Sequence, residues 1–152
     1  MSDDKALHLV LDLREKEEQD ALEMWANAKN QVANFQKQIE QLEQFEAIYQ
    51  NEMEIKSRNT IDMNMYFSYQ AFIDKLSKIK QRQELGLVQL QEQEERAKQN
   101  YLEKQKQRKI IESLLKKHQY ERMVKAAKAE QKLTDDIVSS KMSRRLMENN
   151  DR

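Results

Sequence analysis

Along the first third of the chain, apolar residues recur at alternating steps of four and three. The series is Leu7, Leu11, Arg14, Glu18, Ala21, Trp25, Ala28, Val32, Phe35, Ile39, Leu42, Glu46, Tyr49 and Met53. Eleven of these fourteen are apolar, and the run from Ala21 to Leu42 is unbroken. A seven-residue repeat held this long winds a helix in a left-handed supercoil against a partner helix.

The repeat breaks at Ser57-Arg58-Asn59-Thr60, residues that favour turns and helix starts. Thr60 or Asp62 is placed to cap a second helix, with Met63 and Met65 just inside it. A second seam follows through Tyr69, Phe72, Ile73, Leu76, Ile79, Gln83, Leu87 and Leu90, then more thinly through Ala97, Tyr101, Ile111 and Leu115. If the chain reverses near 58–61, residue i faces roughly residue 119 − i. Leu42 then meets Leu76, Ile39 meets Ile79, Tyr49 meets Tyr69, and Leu7 reaches Ile111. The pattern predicts an all-α protein, an elongated antiparallel two-helix coiled-coil hairpin whose second helix is the longer. It reads as one unit over 1–152, with a helix over about 4–56, a turn at 57–61, a helix over 62–133 and a frayed tail over 134–152. The paired length is about 75 Å at ~1.5 Å per residue.

Composition sharpens this picture. The chain has no proline and one glycine, Gly86, so little in it punctuates a helix. Charged residues make up 36% of it, too many for a thick core. Residues 1–64 carry 14 acidic and 7 basic side chains, a balance of −7, and residues 65–152 carry 13 and 20, a balance of +7. An acidic helix lying against a basic one favours pairing within the chain over pairing of like with like. There is no cysteine, hence no disulfide or thiolate metal site. No apolar run approaches the length of a membrane span, and no secretory signal is visible. The expectation is a soluble cytoplasmic protein with no membrane insertion.

Catalytic chemistry finds no purchase in this pattern. His8 and His118 are the only histidines, and neither belongs to a metal-binding or catalytic motif. One glycine cannot build a phosphate loop. No cofactor and no enzymatic activity are expected. Basic residues from Lys104 to Lys117 suggest phosphate contacts, but Glu95, Glu103, Glu112 and Glu121 are interspersed with or flank them and the first helix is acidic, which argues against nucleic acid. The aromatic residues are more informative. Gln38, Leu42, Phe45 and Tyr49 form one stripe, faced by Tyr69, Phe72, Leu76, Ile79 and Gln83. Phe45 falls beside the seam, where coiled coils usually place charge. The stripe is either a widened core or an apolar patch left open to a protein partner.

Several segments resemble the FliJ family. They are Ala6-Leu7, Val10-Leu11-Asp12-Leu13-Arg14-Glu15-Lys16-Glu17-Glu18, Asp20-Ala21 and Tyr49, and then Tyr66, Tyr69-Gln70, Phe72-Ile73 and Leu76. These are small coiled-coil proteins of the bacterial flagellar type III export apparatus. The resemblance implies an antiparallel hairpin similar to the central stalk of rotary ATPases. It implies a non-enzymatic role in assembling and stimulating a hexameric export ATPase, in contacting the cytoplasmic domain of the export gate, and in handling export chaperones. The expected location is the cytoplasmic face of the inner membrane at the flagellar base. Carried over by motif, the gate-facing residues are Gln38, Leu42, Phe45, Tyr49, Phe72, Leu76, Ile79 and Gln83. The terminal cluster Leu7, Leu11, Leu13 and Leu115 is assigned to the ATPase ring. An injectisome or rotary-ATPase stalk and a general holdase are the alternatives.

Overall fold

The computed structural model describes residues 2–58 and 62–150. Two helices, α1 (Ser2–Arg58) and α2 (Met63–Asn150), pack against each other, and there is no strand among the described residues. All fourteen seam positions of α1 are buried or half-buried, including Arg14, Glu18 and Glu46. Spacing therefore governs which face is covered, even where the residue is charged. Basic Lys56 and Arg58 occupy the last turn of α1, where they suit the negative end of the helix dipole. Asp62 caps α2. Its Oδ1 accepts from the Asn64 amide at 3.3 Å, and its carbonyl accepts from the amides of Met65 and Tyr66. Thr60, the other candidate cap, and positions 59–61 of the expected turn lie outside the described residues.

The chain divides into two compact units, Lys16–Gln105 and Met1–Glu15 with Lys106–Arg152. In Lys16–Gln105 the helices run antiparallel. Glu17 pairs with Lys104 at 4.0 Å and Trp25 stacks on Tyr101 with ring centroids 5.5 Å apart. Further along α1, Tyr49 meets Tyr69 and the edge of Phe72, at 6.5 and 4.7 Å. Lys80 reaches Glu43 and Glu46 at 3.7 and 3.8 Å. The paired residue numbers in these contacts add to between 118 and 126 and centre near 122. The expected pairings added to 118, so all but the Tyr49–Tyr69 pair are displaced, and the contacts taken together are displaced by about one helical turn.

The cause is visible in the covered face of α2. Its seam runs Tyr66, Tyr69, Ile73, Leu76, Lys80, Gln83, Leu87, Leu90, Glu94, Ala97, Tyr101 and Lys104, all buried or half-buried. Lys80, not Ile79, holds the seam position, and Phe72 stands one residue to its side, exposed. In the other unit the covered positions include Asp4, Leu7 and Leu11 on α1 and Ile111, Leu115 and His118 on α2. Asp4 accepts from Arg122 and lies 3.5 Å from His118 Nδ1. In every one of these cross-helix ion pairs α1 supplies the acid and α2 the base, as the opposite balances of the two halves require.

The frayed tail expected over 134–152 is helical as far as Asn150. Residues 125–150 are exposed throughout, so their helix rests on good helix-forming residues rather than on packing.

Candidate functional site

The two-stranded seam has two flanks, and they differ. Phe45 precedes the seam residue Glu46, and Phe72 and Ile79 precede Ile73 and Lys80 in the same way. In an antiparallel pair these positions border the seam on one side. Phe45 is 51% exposed and Phe72 41%. Tyr49, half-buried, packs edge-on against Phe72, and a shallow pocket there is lined by Tyr49, Met65, Ser68, Tyr69 and Phe72. Leu76, at 8%, is core, while Leu42, Ile79 and Gln83 are half-buried and Gln38 is exposed. The eight residues read from the sequence therefore share one neighbourhood but not one role. Leu76 and Leu42 hold the helices together, and Phe45, Phe72 and Gln38 present a surface.

Ile48 and Ile55, both 52% exposed, extend this flank along α1. Sequence reading missed them because they fall outside the seam. Their spacing to Phe45 and Glu52, three residues each, is the signal that would have found them. Gln83 Oε1 is buried without a hydrogen-bond partner, a polar group of the kind that costs stability but fixes register. A second shallow depression on the flank is lined by Gln31, Asn34, Phe35, Gln38 and Leu90.

The terminal cluster also separates into two roles. Leu115 is 5% exposed, and Leu7 and Leu11 are half-buried, so these three belong to the seam. Leu13 is 52% exposed, Ile110 and Leu114 are exposed too, and Val10 is half-buried. Charge around the turn is organised by Lys56, whose ammonium donates to Tyr69 Oη and lies 4.9 Å from that ring. The hydrogen bond raises the Lys56 pKa above its ordinary value of 10.5, and Glu52 adds to the effect.

Among the described residues no group of three or more His, Cys, Asp or Glu is gathered as a metal site, and no helix is long and apolar enough to cross a membrane. An antiparallel helical pair with exposed aromatic residues on one flank of its seam has the form of a coiled coil. The family model described as flagellar FliJ protein matches residues 3–147, and the chain belongs to that family, a component of the bacterial flagellar export apparatus. Neither the curated proteins nor the solved structures contain a match to it.

Proposed function

We propose that this chain is the non-enzymatic stalk of the export ATPase complex. It assembles and stimulates the hexameric ATPase ring, couples it to the cytoplasmic domain of the export gate, and takes part in handling export chaperones at the cytoplasmic face of the membrane. The observation that carries the gate contact is the exposure of Phe45 and Phe72 on one flank, beside buried Leu76. Exposed aromatic residues in an otherwise charged chain are suited to anchor a protein interface. Support for the ring contact comes from Leu13, Ile110 and Leu114, while Leu7, Leu11 and Leu115 keep the helices together for it.

The deciding experiment is binding of the gate's cytoplasmic domain to Phe45→Ala, measured beside a thermal melt. Affinity should fall at least tenfold with the melting temperature nearly unchanged. Unchanged affinity would overturn the gate contact. For the ring, the double variant Leu13→Gln, Leu114→Gln changes the exposed residues, leaves Leu7, Leu11 and Leu115 in place and should abolish stimulation of ATP hydrolysis. Full stimulation by that variant would overturn the ring contact.

A further inference from the structure

Within Lys16–Gln105, α1 carries a second heptad stripe beside its seam. Met24, Asn27, Gln31, Asn34, Gln38 and Gln41, followed by Phe45 and Ile48, are spaced alternately by three and four residues, and all eight are exposed. None of them is charged, in a chain of which 36% is charged. The neighbouring flank positions of α2, at Phe72, Ile79, Gly86 and Gln93, are uncharged too. A solvated coiled-coil surface normally fills such positions with Glu and Lys. Alternation of three and four is also the spacing that a packed helix reads, whereas an extended strand would read every second residue.

The lane has a basic border. Lys75, Arg82 and Arg96 all occupy one heptad position of α2, two residues after the seam residues Ile73, Lys80 and Glu94. All three are exposed, and none stands in an ion pair among the described residues. The cations at seam positions, Lys80 and Lys104, are by contrast answered by α1. A row of unanswered cations beside a neutral stripe specifies the charge of what lies along it.

We infer that the lane from Met24 to Ile48 docks a third helix, supplied by a partner protein, with an uncharged contact face and acidic residues along its α2-facing edge. Neutral amides in place of leucines make the contact weak per residue and reversible, since polar seam positions select register at a cost in stability. The inference rests on this flank being a partner surface, as proposed above, and adds the secondary structure and charge of the occupant.

Two synthetic helical peptides of about four heptads, with the same uncharged seam, serve as probes. One carries Glu along one edge and the other carries Lys there. The full chain should bind the Glu-edged peptide at least tenfold more tightly, with the difference shrinking as salt rises. The triple variant Lys75→Glu, Arg82→Glu, Arg96→Glu should reverse the order. The pair Gln31→Arg with Asn34→Glu leaves net charge unchanged and should weaken binding of both peptides at least tenfold, with the helical melt as a check on folding. Equal binding of the two peptides, no binding of either, or a preference that survives the triple variant would each overturn the inference. Loss of gate binding in Phe45→Ala would still stand in those cases, so the two readings fail separately. If the chain sediments as a dimer and the Gln31→Arg, Asn34→Glu variant as a monomer, the occupant is a second copy and the partner helix is ruled out.

Discussion

The ring of Phe35 fills the space that Gly86 leaves by having no side chain. A Cβ at Gly86 would stand 3.0 Å from Phe35 Cε1, tighter than ordinary van der Waals contact. Elsewhere in a helix, Gly→Ala adds about 1 kcal/mol of stability. Here the ring must move to admit the methyl group. Gly86→Ala should therefore fail to raise the melting temperature, while the same change in a Phe35→Leu background should recover most of the gain. A double-mutant cycle in thermal melts would measure this, with a coupling of about 0.5 kcal/mol or more expected for residues in contact.

Leu76 and Phe45 should respond in opposite ways to truncation. Leu76→Ala removes a buried side chain and should cost about 2–5 kcal/mol. Phe45→Ala removes an exposed one and should stay within roughly 0.5 kcal/mol of the parent. Chemical denaturation of both variants provides the comparison, and a large loss for Phe45→Ala would mean that the ring is part of the core.

Trp25 reports on the seam directly. Its ring stacks on Tyr101, Lys29 Nζ lies 3.6 Å from its centroid, and its Nε1 is buried without a partner. The sequence placed it in the seam, and it is half-buried. Its emission should be blue-shifted from that of tryptophan in water, by less than for a fully buried ring. Tyr101→Ala should move the emission to the red and lower the melting temperature.

Lys56 gives a test in the alkaline range. Its hydrogen bond to Tyr69 raises its pKa in the folded state above 10.5. The contribution to stability is present in full below the unfolded value and is lost as pH rises through the folded one. Tyr69→Phe should lower the Lys56 pKa toward its ordinary value, measured by NMR, and should remove this contribution at neutral pH, where the ammonium is charged in both states.

The face that α1 covers was legible position by position, because apolar residues hold eleven of its fourteen seam sites. α2 was harder to read. Lys80, Glu94 and Lys104 occupy its seam, while Phe72 and Ile79 stand beside it, so a search for greasy residues followed the flank and displaced the register by one turn. Opposite charges on α1 allow the lysines to sit there, and such pairing appears only once both helices are in place. The same displacement explains why Phe72 read as seam and proved to be surface. The end of α2 was underestimated for a different reason, since a helix that packs on nothing leaves no periodicity to detect.

A repeating seam is degenerate under translation, because sliding one helix by seven residues brings like back onto like. The pairing of Lys80 with Glu43 and Glu46 removes that freedom. One heptad of slip would set its ammonium against the neighbourhood of Phe35 or of Tyr49, and Lys104 would leave Glu17 for Leu11 or Trp25. The two lysines thus act as graduation marks on a ruler. A neutral seam in their place would grip more tightly, yet the helices would have several lengths at which to agree.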